Sequence, residues 1–203
     1  ETGFAQAVMD ATYLTAMRTG AAGGLAARLL ARPESEVAGF VGAGRQAQTQ
    51  LEALAQAVPR LRTVLVYDLD EKRAQAFARK SASSSGLAAR ACELEEVISS
   101  CDILTTVTPS REPFVKLEDL KPGTHINAIG ADAEGKQELE SAVLSRAKVV
   151  VDSWEQASHG GEINMAVSGG QFRREDIHAE LGEIFTGQKR GRQSPEDITV
   201  FDS

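Results

Sequence analysis

Residues 42–47 read Gly-Ala-Gly-Arg-Gln-Ala, and these types at this spacing suit the binding of a dinucleotide pyrophosphate. Gly42 permits a sharp turn. Gly44 has no Cβ, so a phosphate can reach the first amides of a following helix, where the helix dipole favours negative charge. Ala47 is small enough for that helix to pack on the strand before it. Asp68 lies about twenty residues beyond the motif, where a carboxylate can bind both ribose hydroxyls and would repel a 2′-phosphate. The plainer alternative is an ordinary glycine turn followed by a helix-capping Asp. Asp68 favours NAD over NADP, while Arg73 nearby keeps NADP open.

Other residues invite a chemical reading. Arg18 stands just ahead of Gly20-Ala-Ala-Gly-Gly24; a fixed Arg beside a phosphate loop can pair bidentately with a diphosphate, whereas an exposed helix Arg is the plain alternative. The glycines themselves have no strand ahead of them, so close helix packing explains them better than a second phosphate loop. Two glycines between His159 and Glu162 place that pair on a mobile loop, which favours surface or interface roles over acid–base catalysis. His125 and His178 fall in a strand start and a helix, where satisfied structural histidines are the default. Cys92 and Cys101 have no His partner at metal-ligand spacing; no metal site is expected, and small buried or half-buried thiols in a reducing cytosol are.

The elements that must position these residues follow from periodicity and breakers. Phe4–Met9 reads as a strand ending at Asp10, and Ala11–Ala31 as a long helix closed by Pro33. The apolar run at Val37, Ala38, Phe40 and Val41 is the strand that enters the glycine turn, and Gln46–Val58 is the helix that leaves it. Strand Thr63–Tyr67, helix Glu71–Lys80, strand Leu87–Ala91 and helix Glu93–Ser100 follow, with the serine-rich 81–86 segment read as a loop. Strands Ile103–Val107 and His125–Ile129, a helix from about Gln137 to Arg146, and strand Lys148–Val151 continue the alternation. Ile177–Thr186 is amphipathic, with Ile177, Leu181, Ile184 and Phe185 inward, and Ile198–Phe201 is a final strand. This order predicts an α/β fold of Rossmann type, a doubly wound and mostly parallel sheet. Ligand-bearing loops would then lie at 42–46, at Asp68, at Thr108 and at 130–132, converging on one crevice.

Composition sets wide bounds. The 203 residues, 42% hydrophobic and 25% charged, suit a globular chain with a sizeable core. A net charge of −7 with no basic stripe argues against a dedicated nucleic-acid binder; Lys189-Arg190-Gly-Arg192 reads as a solvated loop. No apolar run approaches the ~20 residues of a membrane span. With no signal peptide either, a cytoplasmic protein is expected. The chain opens on Glu1-Thr2-Gly3 without Met and reads as a piece of something longer.

Assembled, these blocks resemble the ornithine cyclodeaminase/mu-crystallin family, and within it the archaeal-type alanine dehydrogenases. The resemblance rests on Val8-Met-Asp-Ala-Thr12 through Arg18-Thr-Gly-Ala-Ala-Gly-Gly24, on residues 42–47, and on Thr124-His-Ile-Asn-Ala-Ile-Gly-Ala-Asp132. It continues through Gly135-Lys-Gln-Glu-Leu139, His159-Gly-Gly-Glu-Ile-Asn164 and Ile198-Thr-Val-Phe-Asp-Ser203. It implies residues 18–197 as an NAD-binding Rossmann domain. Residues 1–17 would be the end of a substrate and dimerisation domain, and 198–203 a strand returning to it, with most of that domain and its substrate-binding Lys and Arg outside the chain. Phe4–Met9 and Ile198–Phe201 would then be open edges. The implied NAD contacts are Arg18, Arg45 and Gln46 in the turn, Asp68 at the ribose, Thr108 beside the adenine-side loop, Ile129, Gly130 and Ala131 near the nicotinamide, and Lys136 and Ser203.

Asp132 corresponds to the family's proton-transfer acid. A carboxyl near the nicotinamide, shielded from water, can have its pKa raised enough to donate a proton; a helix N-cap is the alternative. The implied reaction is L-alanine + NAD+ + water to pyruvate, ammonia and NADH. Ornithine cyclisation to proline with internally recycled NAD is the rival, and a non-catalytic NAD(P)-binding protein a third reading. The implied partners are a small amino or keto acid and a second copy in a homodimer of the longer parent, with no nucleic acid and no membrane.

Overall fold

The computed structural model describes residues 3–203. Its spine is an eight-stranded sheet with every pairing parallel, in the order β3-β2-β1-β4-β5-β8-β6-β7. In chain order the elements are α1 (Ala11–Leu30), β1 (Val37–Val41), α2 (Arg45–Ala57), β2 (Thr63–Tyr67), α3 (Glu71–Ser85), β3 (Ala88–Ala91), α4 (Leu94–Ser100), β4 (Ile103–Thr106), β5 (His125–Ala128), α5 (Ser141–Arg146), β6 (Lys148–Val151), α6 (Trp154–Gly160), α7 (Asn164–Ser168), β7 (Ala179–Glu180), α8 (Leu181–Phe185) and β8 (Thr199–Asp202). This is the doubly wound α/β arrangement read from the sequence. Its strands β1 and β4 leave toward opposite sides, which opens a crevice at their carboxyl ends.

Side chains alternate across the strands and fill a core on each face. On one face Val41, Leu104, Ile126, Val149 and Val200 meet α4, α5, α6 and α7. On the other, Ala38, Phe40, Val64 and Val66 meet α2 and α3, while Val150 and Phe201 meet α1 and α8.

The glycines of α1 are packing glycines. A Cβ on Gly20 would stand 2.7 Å from the Thr49 carbonyl oxygen, and one on Gly24 would stand 2.8 Å from the Ala53 Cβ. Helices α1 and α2 therefore pack closely with no side chain from the α1 glycines between them, and Gln50 reaches across from α2, donating from Nε2 to the Thr19 carbonyl at 2.9 Å. Gly24→Leu is expected to destabilise the fold by about 1–3 kcal/mol through overpacking, read as a lower urea midpoint at unchanged m-value. An unchanged midpoint would mean that α1 can lift from α2.

Several expectations are corrected. Phe4–Met9 forms no strand; it is irregular and exposed, because its apolar residues find no sheet among residues 3–203. Ile198–Phe201 is no open edge: β8 lies between β5 and β6. The serine-rich segment is helical to Ser85, its hydroxyls bonding back to carbonyls one turn earlier, as Ser85 does to Ser81 at 2.6 Å. The helix expected from Gln137 begins only at Ser141, since Leu139 is extended and bridges Val115. Ile177 and His178 are not helical, and Phe185 is exposed. Arg192 is not in a solvated loop; it donates to the carbonyls of Leu30 at 2.7 Å and Gly123 at 3.0 Å. His125 is the buried structural histidine expected, bonded to Thr199 and Asn127, with burial pushing its pKa down to about 3.

Candidate functional site

The carboxyl ends of β1, β2, β4 and β5 bring the predicted residues to one crevice, in two adjoining hollows that share Val107, Thr108 and Pro109. The first, of about 510 Å³, is lined by Gly42, Ala43, Gly44, Asp68, Asp70 and Arg73 among others. The second, of about 290 Å³, gathers Arg18, Gln46, Ile129, Gly130, Asp132, Lys136 and Ser203. Most of the predicted site thus converges. Arg45 is the exposed first residue of α2 at the turn, whereas Ala131 is buried and lines neither hollow.

At the turn, Gly42 adopts φ +98°, a conformation that L side chains rarely take, and a Cβ there would stand 2.9 Å from the Val107 carbonyl oxygen. Gly44 is exposed, and a Cβ on it would meet nothing within 4 Å, so its absent side chain leaves open approach to the helix end. Helix α2 starts with no side-chain cap. Its first amides are therefore available to an anion. The turn is tied to β2 from two directions, by the Gly42 N–H to the Tyr67 carbonyl at 2.8 Å and by the Ala43 N–H to Asp68 Oδ2 at 2.8 Å. The other Asp68 oxygen accepts from the Asp70 N–H at 2.9 Å. Each oxygen keeps a second lone pair, so a held carboxylate faces the hollow. Arg73 sits 3.6 Å from Asp70, across the same wall.

At the far end Asp132 is paired with Lys136. The shielding expected around Asp132 is not found: its side chain is 75% exposed, against 20% for Lys136. Asp132 caps no helix either, because residues 133–136 form a turn pinned by Asn164, whose Oδ1 accepts from the Gly135 N–H at 3.0 Å and whose Nδ2 donates to the Lys136 carbonyl at 2.8 Å. Ser203 donates to Asp152 Oδ2 at 3.1 Å.

Beneath this floor lies a group that sequence reasoning did not assign to the site. Glu138, Glu162 and Asp202 are all fully buried. Glu138 Oε1 accepts from the Thr108 N–H and hydroxyl, both at 2.7 Å, and its Oε2 from the Gly130 N–H at 3.0 Å. Glu162 Oε1 accepts from the N–H groups of Glu138 and Leu139 at 2.8 and 2.6 Å. Asp202 accepts from the N–H groups of Glu162 and Ile163 at 2.8 and 3.1 Å. Each carboxyl group thus grips the backbone beside the next. Loss of hydration raises all three pKa values, Glu162 well above the usual range and Asp202 up to about 7.

The mobile loop expected at His159–Asn164 is accordingly corrected. Glu162 and Asn164 are buried, His159 lies in the last turn of α6 on the surface, and the segment is a brace under the crevice. A signal was present: Glu162 stands between Gly161 and Ile163, Glu138 precedes Leu139, and Asp202 follows Phe201. Lone carboxylates beside apolar residues suggest burial, but not what they hold.

Among the described residues no cluster of side chains suits a metal ion, and no helix is long and apolar enough to cross a membrane.

The sequence profile of the ornithine cyclodeaminase/mu-crystallin family matches residues 1–203. An alanine dehydrogenase of Archaeoglobus fulgidus is 55% identical over 203 residues, which are 100% of this chain and 62% of that protein. A solved archaeal alanine dehydrogenase dimer with bound NAD superposes with a TM-score of 0.94 at 55% identity, over 100% of this chain and 62% of that one. A Thermococcus litoralis Δ1-pyrroline-2-carboxylate reductase, solved with NADH and L-proline, gives a TM-score of 0.93 at 40% identity, over 98% of this chain and 62% of that one. The chain therefore spans less than two thirds of the length of these relatives. With its parallel sheet, glycine turn and matching blocks from end to end, it belongs to the ornithine cyclodeaminase/mu-crystallin family.

Proposed function

We propose that this chain is the NAD-binding part of an oxidoreductase acting on the amino or imino group of a small amino acid, with L-alanine + NAD+ + water to pyruvate, ammonia and NADH as the reaction. The observation that carries this reading is the single crevice joining the open glycine turn and Asp68 to the Asp132–Lys136 pair. The residues fit the cofactor. The uncapped start of α2, with Arg18 and Arg45 nearby, suits a pyrophosphate. The tethered Asp68 carboxylate suits ribose hydroxyls. Ile129 and Gly130 line the side toward which a nicotinamide would extend, and Thr108 stands between the two hollows.

NAD would supply the hydride acceptor; the protein's task is to orient it and to manage the proton. Asp132 stands at the rim, where its carboxylate can exchange a proton with the substrate nitrogen, and Lys136 holds it there. The water exclusion that such a step needs would come from the rest of the longer protein. The exposed Phe4, Val8, Met9 and Tyr13 (81, 97, 68 and 72% exposed) offer that part an apolar surface. That residues 1–17 are the end of a substrate and dimerisation domain is part of the proposal, as is a homodimer of the whole protein. Because β8 sits inside the sheet, residues 199–202 fall to the cofactor domain in this scheme.

Similarity to a reductase solved with L-proline favours a second reading, a reaction on a cyclic imino acid. Assay of the full-length protein separates the readings. Net NADH from L-alanine supports the first, and NADH consumption with Δ1-pyrroline-2-carboxylate supports the second. Proline formed from ornithine without net NADH would indicate a cyclodeaminase. Tight NADH binding with no turnover of any of these substrates would indicate a binding protein.

A further inference from the structure

Glu138 joins the two halves of the crevice from below. Its carboxylate is the common acceptor for Thr108, at the end of β4, and for Gly130, at the end of β5. Among the described residues no other side chain accepts from both Thr108 and Gly130. The fit is close: a Cβ on Gly130 would stand 2.5 Å from Glu138 Oε2 and 2.3 Å from the Thr108 carbonyl oxygen. Gly130 is thus glycine because the carboxylate fills the space behind it. Three donors converge on Glu138, a demand that a carboxylate meets and that an amide, with one acceptor oxygen and two N–H donors, does not. Behind it, Glu162 fixes the Glu138 backbone and Asp202 fixes that of Glu162. The anchor therefore reaches into the interior and does not depend on one flexible side chain.

We infer that Glu138 is a positioning residue for the bound dinucleotide, setting the gap between the Thr108 and Gly130 loops through which the nicotinamide half must pass. It touches no ligand itself. This rests on the crevice being an NAD site. It differs from a general structural role in one respect: its loss should fall on the nicotinamide half and spare the adenosine half, which the turn and Asp68 hold.

The test compares two ligands on the 203-residue chain. ADP-ribose has the adenine, both phosphates and a terminal ribose but lacks nicotinamide, whereas NADH carries it. In Glu138→Gln the side chain turns an N–H donor toward a backbone or hydroxyl donor, so one loop is released. NADH affinity is expected to fall at least tenfold while ADP-ribose affinity changes less than threefold. Glu138→Asp, one methylene shorter, cannot reach both loops and should show the same split. A parallel loss of both ligands, or no loss of either, overturns the positioning role while leaving the NAD site standing. If the unaltered chain binds neither ligand, both the site and the inference fall.

Should the variants not fold, amide hydrogen exchange of the unaltered chain decides. Thr108 and Gly130 lie in loops open to the crevice, yet with Glu138 as shared acceptor their amides should exchange together and slowly beside that of the exposed Arg111. Exchange at ordinary loop rates would overturn the proposal.

Discussion

Replacing Glu162 by Ala is expected to lower the unfolding free energy by about 2–6 kcal/mol, the cost of leaving two buried backbone donors without an acceptor at about 1–3 kcal/mol each. Those donors are the N–H groups of Glu138 and Leu139, and both residues are fully buried. Glu162→Gln should cost far less. All of the acceptance falls on Oε1, while Oε2 has no partner, so an amide can keep both bonds and removes an ionisable group from the interior.

The two variants should also differ from the unaltered chain in pH dependence. Burial raises the Glu162 and Asp202 pKa values above those of the unfolded chain, Asp202 to about 7. The folded state therefore keeps protons that the unfolded state has released. In the window from the ordinary carboxylate range up to about 7, stability from Asp202 falls as pH rises. Urea midpoints measured from pH 5 to pH 8 should decline for the unaltered chain and decline less for Glu162→Gln, which removes one raised acid and a neighbour of the other two. An equal slope in both would show that Glu162 adds nothing to the pH dependence, and no decline in the unaltered chain would show that the buried acids titrate normally.

The second large effect is on cofactor choice. Asp68→Ala should weaken NAD binding about ten- to a hundredfold, the loss expected of hydrogen bonds to a charged group at about 1.5–3 kcal/mol. NADP should be affected much less, or should gain, because a negative charge that opposes its 2′-phosphate is gone and Arg73 lines the same hollow. Part of the NAD loss will come from the turn, since Asp68 also accepts from the Ala43 N–H. That part acts on both cofactors alike, so the informative quantity is the ratio of the two dissociation constants. A ratio unchanged by the substitution would remove Asp68 from the ribose site.

Legibility in the sequence followed the range of the interactions involved. The strand–turn–helix at Val37–Ala57 and the strand at Thr63–Tyr67 are local: an apolar run, a pair of glycines and a 3.6-residue repeat decide them within a few residues. The crevice followed as well, because parallel strands alternating with helices place their carboxyl-end loops together. Elements of weak pattern were misread where a distant partner decides. Gln137–Leu139 has helix-forming residues, but the bridge from Leu139 to Val115 and the grip of Glu162 on its N–H hold it extended. Ile198–Phe201 looks like a terminal edge strand in sequence, and only the sheet shows it seated between two others.

The sequence by itself pointed to the class of ligand proposed for the crevice and determined the parallel architecture and which loops would meet, since these depend on residue types and short-range periodicity. Only the tertiary structure decided what holds those loops at their spacing. Glu138, Glu162 and Asp202 are 24 and 40 residues apart in succession, and nothing local tells a buried carboxylate gripping distant amides from one facing water. It also decided that Asp132 is exposed in this chain. Burial is a property of the assembled surface, and no single segment encodes it.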